Sequence, residues 1–456
     1  MSIFKAYDVR GVYPEELNED LAYKIARAFA ETRKKETGKI GIKLVIGRDM
    51  RISSPSLFEA VKRGLIDAGA EIIDIGLAST PTFYFAVSYY GYDGGLLISA
   101  SHNPKEYNGI KIIRDRAIPF GQGTGMEELR ETVSADNFSP ASEKKEMIIS
   151  IDTALEEEKN FCEKYADIAK IKQFKIIADA ANSMGALYLE KLFADLPQVD
   201  FVKMNFDLDG SFPAHQPDPF QEKNVKDLKE KVLSEKADLG ISTDGDGDRI
   251  FFIDDKGEVL EPAMLRGIMA KLFLRENPGA VICYDIRPGK ITEDMILENG
   301  GSPSVTRVGH SLIKKQMLET GAVFGGESSG HFFVKFPHGV YEAPMVVILK
   351  LLQELSETNQ SLSDYIKPLK RYFHSGEINF RVENKENVLS ALKEKYADAE
   401  ISDLDGLTFT YPDFWFNVRA SNTESLLRLN LEARKKEIMD EKVKEISNLI
   451  EPVNGR

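Results

Sequence analysis

The chain has 456 residues, of which 59 are basic and 73 acidic, giving a formal net charge of −14. Domains usually contain about 100–200 residues, so this length predicts three or four domains. The acidic balance argues against general binding to nucleic acid or to anionic membranes, because both need a basic surface. A local basic pocket for a small anion is compatible with it.

Cysteine content and hydropathy favour a cytoplasmic protein. Cys162 and Cys283 are too few for a disulfide framework, and we expect both to be buried, reduced thiols. No apolar run approaches the ~18–20 residues that a membrane helix needs. The first residues also lack the apolar core of an export signal. We therefore expect no membrane association and a cytoplasmic location.

A pattern of strand, turn and helix recurs three times along the chain. Each copy begins with an apolar run that ends in small or charged residues, and closes with another apolar run that leads into a polar loop. The opening runs lie at 43–46, 175–178 and 280–284, and the closing runs at 95–98, 237–241 and 322–324. Short β-rich runs alternating with helices predict an α/β layer fold in each copy. The polar loops then follow strand ends, where such sheets place ligands.

The chain after about residue 363 has a different pattern. Residues 377–382 alternate polar and apolar side chains, which predicts a strand with one exposed face, and a helix, a hairpin and a second helix follow. We therefore predict the α/β class, with three structurally repeated mixed α/β domains plus a C-terminal α+β domain around a central cleft. The predicted domains span 1–148, 149–257, 258–366 and 367–456.

The strongest chemical signal is the loop Asp244-Gly-Asp246-Gly-Asp248-Arg249. Three alternating carboxylates would repel one another without a cation, and the glycines between them let the backbone fold tightly enough for the oxygens to converge. Hard oxygen ligands suit Mg²⁺, which often completes its coordination with phosphate. An EF-hand loop would need glycine where Arg249 stands. A solvated acidic turn is the alternative.

A second polar segment, Ser101-His102-Asn103-Pro104, follows an apolar strand. Ser101 is either a nucleophile at a strand end or part of a plain turn, since Ser, Asn and Pro all favour turns. His102 taken alone is more often a structural histidine than a catalytic one. Lys111, on the next apolar run, is either a solvated charge on a strand or a cation for a phosphate.

Two later segments are also candidates. In residues 326–331, Glu327 and Ser329 could bind sugar hydroxyls and His331 could handle protons near neutral pH, although a glycine-rich hairpin is the alternative. In residues 419–425, Arg419 and the small polar residues after it could cradle a phosphate. An ordinary helix N-cap is the alternative there.

Together these motifs resemble those of the α-D-phosphohexomutases, in the order of that family and over nearly the whole chain. The matching segments are 7–11 (the N-terminal motif), 101–104 (the phosphoserine loop), 244–249 (the metal loop), 326–331 (the sugar-specificity loop) and 419–424 (the phosphate-binding loop). The last two segments look most like the phosphomannomutase/phosphoglucomutase branch. Ser99 and Ser425 depart from the threonine and the proline that are usual at those positions.

The resemblance implies reversible phosphoryl transfer between C1 and C6 of hexose phosphates, with mannose and/or glucose as the sugar. The phosphoryl group would pass through a phosphoserine at Ser101 and a hexose 1,6-bisphosphate, which is both intermediate and activator. Mg²⁺ would be held by Asp244, Asp246, Asp248 and an oxygen of the phosphorylated Ser101. The expected partners are small-molecule hexose phosphates, and the chain would be a monomer or a weak homodimer.

The resemblance also implies two sets of site residues. The catalytic set, in which Lys111 and His331 are our hypothesis for proton transfer, is Ser101, His102, Lys111, Arg10, Arg249 and His331. The substrate-binding set is Arg287, His310, Glu327, Ser329, Arg419, Ser421, Asn422, Thr423 and Arg428.

Three other functions remain as alternatives. A phosphoglucosamine mutase would perform the same chemistry on an amino sugar. A Mg²⁺-dependent sugar phosphatase would let water intercept the phosphoserine, so it would release free phosphate. A Ca²⁺-binding protein, or an inactive protein that binds sugar phosphates, would carry no phosphate on Ser101.

Overall fold

The computed structural model describes residues 3–142, 147–287, 289–382, 384–420 and 426–453. The strands are β1 (Val9–Val12), β2 (Lys43–Arg48), β3 (Glu71–Leu77), β4 (Gly94–Ile98), β5 (Tyr107–Arg114), β6 (Ile148–Ser150), β7 (Phe174–Asp179), β8 (Val199–Met204), β9 (Leu239–Thr243), β10 (Ile250–Asp254), β11 (Val281–Asp285), β12 (Ser302–Thr306), β13 (Phe324–Gly326), β14 (Phe332–Phe336), β15 (Gly339–Glu342), β16 (Phe373–His374), β17 (Ile378–Arg381), β18 (Glu400–Ser402), β19 (Leu407–Thr410), β20 (Phe414–Ala420) and β21 (Leu426–Ala433). The helices are α1 (Glu19–Thr37), α2 (Ser54–Asp67), α3 (Thr80–Tyr89), α4 (Met126–Ala135), α5 (Ala154–Cys162), α6 (Gly185–Ala194), α7 (Glu222–Glu235), α8 (Pro262–Glu276), α9 (Lys290–Glu298), α10 (His310–Thr320), α11 (Pro344–Thr358), α12 (Leu362–Ile366), α13 (Lys385–Lys395) and α14 (Lys436–Val453).

The chain divides into two compact units, and the first comprises residues 1–260 and 329–363. Its larger sheet has the order β1-β5-β4-β2-β3-β6. Strands β2, β3, β4 and β6 run parallel. At one edge β5 pairs antiparallel with β4, and β1 pairs antiparallel with β5, so β1 runs in the same direction as the parallel strands. A second sheet, β10-β9-β7-β8, repeats the plan with parallel β7, β8 and β9 and an antiparallel β10. Strands β14 and β15 form an antiparallel pair.

The second unit comprises residues 261–328 and 364–456. Strands β12 and β13 each pair in parallel with β11, which lies between them. The later part of the chain forms an antiparallel sheet of order β16-β21-β20-β19-β18, with β17 also paired to β21. Apolar side chains of this sheet and of α13 and α14 share one core, which includes Leu392, Phe416, Leu429 and Ile446.

The predicted threefold repeat is visible in the strand order. In each copy the opening strand lies between the two that follow it, as β2 does between β3 and β4, and β7 between β8 and β9. Leu44, Val45 and Ile46 of β2 are fully buried, as expected for a parallel strand covered on both faces. The predicted class of three mixed α/β domains plus a C-terminal α+β domain is confirmed. The four domain boundaries stay predictions.

Two closing strands end later than their apolar runs. Strand β9 includes Ser242 and Thr243, and β13 includes Gly325 and Gly326. Ser242 and Thr243 are buried because their backbone pairs with Phe251 and Ile250 of β10. The end of an apolar run therefore does not mark the end of these strands, because backbone pairing holds polar and glycine residues inside the sheet.

Both cysteines match their prediction, since Cys162 and Cys283 are buried and free. No helix in the described part of the chain is long and apolar enough to cross a membrane.

Candidate active site

Ser101 lies in the loop after β4, against the acidic loop that follows β9. Its Oγ donates a hydrogen bond of 2.7 Å to Oδ2 of Asp244. A Cβ at Gly245 would stand 2.2 Å from the carbonyl oxygen of Ser101, so the two loops reach this distance because position 245 is glycine. Ser101 has a φ of 50°, a left-handed conformation that non-glycine residues adopt at some cost in energy.

The acidic loop brings three buried carboxylates together. One oxygen from each of Asp244, Asp246 and Asp248 lies within 4.8 Å of the others. Burial and the two neighbouring carboxylates raise the pKa of Asp244 well above its usual range. Oδ1 of Asp246 is buried without a hydrogen-bond partner among the described residues. The residues therefore fit a hard divalent cation, and their burial excludes the solvated acidic turn.

Lys111 on β5 is buried against the same carboxylates. Its Nζ lies 2.7 Å from Oδ2 of Asp246 and 2.6 Å from Oδ2 of Asp248. Although burial opposes it, these two carboxylates raise the pKa of Lys111 well above the usual value. Lys111 is therefore an ammonium group inside the site and not a solvated charge on a strand.

Arg10 and Arg249 add positive charge around the serine. The guanidinium of Arg10, on β1, donates to Oδ1 of Asn103 and Oδ2 of Asp8. Nε of Arg249 lies 3.6 Å from Oδ2 of Asp244, and its backbone N–H donates to Oδ1 of the same residue at 3.2 Å. Both arginines therefore stand where they can offset the charge of a phosphorylated serine.

His102 contacts the serine directly. Its Nδ1 is 3.2 Å from Oγ of Ser101. Burial, together with the nearby Arg249 and Arg10, lowers the pKa of His102 to about 2. The imidazole is therefore neutral at physiological pH, which suits it to orient the serine hydroxyl better than to hold charge.

His331 follows the glycine-rich segment and also reaches the acidic loop. Its Nε2 lies 3.2 Å from Oδ1 of Asp248 and 3.3 Å from Nε of Arg249, while Nδ1 lies 2.9 Å from Oγ of Ser329. The first unit thus gathers the whole predicted catalytic set, the three aspartates and Ser329 around one point.

The remaining described candidates belong to the second unit, where Asp285 organises the end of β11. Its Oδ1 accepts from Nη1 of the buried Arg266 at 2.8 Å and from Oγ of Ser328 at 2.9 Å. Its Oδ2 accepts from Nε of Arg287 at 2.8 Å. Although burial opposes it, Arg287 and Arg266 lower the pKa of Asp285, so this carboxylate stays ionised.

Glu327 is fixed by the start of α10. Its Oε1 accepts a 2.9 Å hydrogen bond from the backbone N–H of Gly309, next to His310, the first residue of that helix. Its carboxylate also lies 3.9 Å from Nη2 of Arg287. Glu327 therefore lies beside Arg287 and beside the start of α10, where His310 stands.

Arg419 and Arg428 face each other on the paired strands β20 and β21. Glu377 contacts both, with Oε2 at 2.9 Å from Nη2 of Arg419 and Oε1 at 3.4 Å from Nη1 of Arg428. Two guanidinium groups side by side are suited to bind an anion. The predictions for Ser421, Asn422 and Thr423 lie outside the described residues.

Four family models match successive parts of the chain. They describe the phosphoglucomutase/phosphomannomutase α/β/α domains I, II and III at residues 1–139, 156–257 and 262–372, and the C-terminal domain at 377–449. A phosphomannomutase of Methanocaldococcus jannaschii is 38% identical over 454 residues, which cover 99% of this chain and 98% of that protein. The chain belongs to the phosphoglucomutase/phosphomannomutase family. The resemblance seen in the motifs is confirmed, and the chain is a phosphohexomutase enzyme of the α-D-phosphohexomutase superfamily.

Other relatives of this phosphohexomutase are similar over their full length. A Xanthomonas campestris protein with the name "Phosphohexose mutases" is 36% identical over 459 residues, which cover 98% of this chain and 98% of that protein. A solved structure of a phosphoglucomutase/phosphomannomutase family protein from Burkholderia thailandensis has a TM-score of 0.87 at 30% identity. It covers 99% of this chain, and this chain covers 97% of it.

Sequence reasoning missed two residues, Thr80 and Arg51, that contact the loops of the candidate site. Oγ1 of Thr80 donates to Oδ2 of Asp246 at 2.6 Å. Arg51 donates to four carbonyls around Ser101. The dipeptide Thr80-Pro81 signals a helix start, and Arg51 lies just beyond a strand end. Neither signal indicates burial, so the motifs alone could not assign these contacts.

Proposed function

We propose that this phosphohexomutase transfers a phosphoryl group reversibly between C1 and C6 of hexose phosphates, with mannose and/or glucose as the sugar. The phosphoryl group passes through a phosphoserine at Ser101 and a hexose 1,6-bisphosphate, which acts as intermediate and activator. The observation that carries the proposal is the hydrogen bond from Ser101 to Asp244 inside the buried carboxylate cluster. A hydroxyl beside three buried carboxylates that could hold a cation supports phosphoryl transfer, because that reaction needs a nucleophile close to a bound metal ion.

Asp244, Asp246 and Asp248, together with a phosphoserine oxygen, are the proposed ligands of Mg²⁺. When bound, Mg²⁺ supplies Lewis-acid stabilisation of the charge that develops on the transferred phosphoryl group. Lys111 contributes positive charge at the same carboxylates, and with His331 it is our proposed pair for proton transfer. Arg10 and Arg249 balance the charge of the phosphoserine, and His102 orients the hydroxyl.

The second unit supplies the proposed substrate contacts. Glu327 and the first unit's Ser329 read sugar hydroxyls, and Arg287 and His310 stand beside Glu327. Arg419 and Arg428, with Ser421, Asn422 and Thr423 of the adjoining loop, bind the phosphate that is not being transferred. We propose that these residues belong to four domains, which span residues 1–148, 149–257, 258–366 and 367–456.

The deciding experiment is a coupled assay with glucose 1-phosphate and mannose 1-phosphate, in the presence of Mg²⁺ and trace glucose 1,6-bisphosphate. We expect conversion to the 6-phosphates without release of free phosphate. The Ser101→Ala variant should lose this activity by about 10³-fold or more, because it cannot carry the phosphoryl group. The ratio of the two rates ranks the sugars.

Other outcomes would assign a different function. Turnover of glucosamine phosphate alone would indicate a phosphoglucosamine mutase, and free phosphate would indicate a phosphatase. An active Ser101→Ala variant would contradict the phosphoserine route. The cytoplasmic location and the monomer or weak homodimer remain predictions, the second checked by light scattering of the purified chain.

A further inference from the structure

Arg51, in the loop between β2 and α2, contacts the backbone of the proposed nucleophile and of the residues that follow it. Its Nη2 donates to the carbonyl oxygens of Ser101 and Asn103, each at 2.7 Å. Its Nη1 donates to the carbonyl oxygens of Pro104 and Tyr107, at 2.7 and 2.9 Å. One planar guanidinium therefore binds four carbonyls of a single short loop, a geometry that suits its fixed fork of donors.

The guanidinium is itself held in place. Arg51 is 1% exposed, and its Nε lies 3.3 Å from Oδ2 of the fully buried Asp49. The ring of Phe212 covers it, with the guanidinium carbon 5.0 Å from the ring centroid. Oδ1 of Asp49 accepts hydrogen bonds from the backbone N–H of Arg51 at 3.0 Å and from Oγ of Ser54 at 2.5 Å. A group that is packed and bonded in this way can act as a rigid template for the loop.

A fifth carbonyl is held by a different residue. Nε2 of Gln216 donates to the carbonyl oxygen of His102 at 2.9 Å. The carbonyls of Ser101, His102 and Asn103 are therefore all engaged by side chains from outside the loop, whereas Oγ of Ser101 contacts Asp244 and His102. Carbonyl oxygens that point at their donors do not turn toward a phosphoserine, whose charge of about −2 would be repelled by them.

The backbone of Ser101 needs such support. Its φ of 50° is costly in a non-glycine residue and persists only where the surroundings enforce it. We propose that Arg51, assisted by Gln216, is the positioning residue of the nucleophile: it holds the loop so that Oγ of Ser101 stays beside Asp244. This inference rests on the proposed role of Ser101 and adds the residue that fixes its geometry.

The test compares Arg51→Lys with the parent enzyme. A lysine offers three donors on one atom and cannot span four carbonyls, so the serine should shift. A misplacement of about 1 Å costs about 100-fold in rate, so we expect kcat to fall by about that factor while KM for glucose 1-phosphate stays within about threefold. Single-turnover phosphorylation of Ser101 by glucose 1,6-bisphosphate should slow equally. Amide hydrogen exchange should quicken in residues 101–109 but not in 239–243.

Arg33→Lys is the matched control. Arg33 is also a buried arginine, and its Nε donates to the backbone carbonyl of Asp93 at 2.8 Å, but it lies in α1 and does not contact the loop of Ser101. It should retain the parent's kcat. Gln216→Ala, at a partly exposed position, is the second variant, with an expected fall in kcat of about tenfold.

The outcomes separate the two proposals. If the parent does not interconvert hexose phosphates, the proposed function fails. If the parent is active and folded Arg51→Lys matches it in kcat and in phosphorylation of Ser101, the positioning role is overturned. If Arg51→Lys does not fold, Gln216→Ala decides, and an unchanged kcat in that variant overturns the role.

Discussion

Glu377 shows how a single side chain can set the strength of an anion site. It contacts Arg419 and Arg428, the two arginines that we propose for the distal phosphate, and its charge offsets theirs. A substrate phosphate must therefore compete with an internal carboxylate for the same guanidinium groups. Such a counter-charge keeps two like charges together in the absence of substrate, at the expense of affinity.

Glu377→Gln should tighten the binding of substrate. The side chain keeps its shape but loses its charge, so phosphate no longer competes with a carboxylate for the arginines. Partly exposed pairs of this kind are worth about 0.2–1 kcal/mol, so KM for glucose 1-phosphate should fall by a factor of about 1.4 to 5. Steady-state kinetics at low salt measures this change. Glu386→Gln, an exposed change on α13, is the control, and an unchanged or higher KM in Glu377→Gln would contradict the competition.

At the scale of elements, the start of α3 reaches the acidic loop after β9. The backbone N–H of Thr80 donates to the carbonyl oxygen of Asp246 at 2.9 Å, while its hydroxyl donates to the carboxylate of the same residue. Ser79 caps the helix by accepting from the N–H of Thr82, and Pro81 occupies its first turn. The helix therefore presents Thr80 rigidly, and Thr80 fixes the orientation of a proposed metal ligand.

Thr80→Val should weaken binding of Mg²⁺. Valine keeps the volume of the side chain and loses the hydroxyl, so Oδ2 of Asp246 is oriented less firmly. Loss of such an outer contact typically lowers metal affinity by about 10–100-fold. Calorimetric titration of the metal-free protein with Mg²⁺ measures the effect without relying on turnover. Thr80→Ser keeps the hydroxyl and should restore affinity. Equal affinities for Thr80→Val and the parent would rule out this role.

For the whole molecule, local patterns predicted the fold class and the loops at the strand ends. Strands and the polar loops that follow them depend mainly on short segments of sequence. The alternation of Asp and Gly at 244–248 pointed to the candidate metal loop for the same reason. The contacts of Arg51 and Thr80 could not be predicted, since each joins segments that are distant in sequence and depends on burial. Arginine side chains are usually exposed, so the sequence alone predicts an exposed Arg51, whereas Arg51 is buried.

Glu158 on α5 is another buried charge-bearing group, and it contacts α3 of the first unit. Its Oε2 accepts from Oγ1 of Thr82 at 2.7 Å, and burial raises its pKa to about 8. Glu158 interacts electrostatically with three titratable groups, Cys162, Tyr188 and Tyr341. Burial raises the pKa of each of them well above its usual value. These neighbours therefore stay neutral near physiological pH, and since thiols and phenols carry no positive charge in either state, they cannot stabilise an ionised Glu158.

Stability should consequently fall as pH rises through the range set by Glu158. The unfolded chain releases this proton near pH 4.5, whereas the folded protein holds it to about pH 8, so folding takes up a proton between these values. Glu158→Gln removes the penalty because glutamine stays neutral. The Tm of the lowest-temperature calorimetric transition of the variant, relative to that of the parent, should rise between about pH 4.5 and about pH 8. Glu156→Gln, on the same helix with a pKa below its usual value, should show no such trend, and a pH-independent difference for Glu158→Gln would mean that Glu158 is ionised in the folded protein throughout.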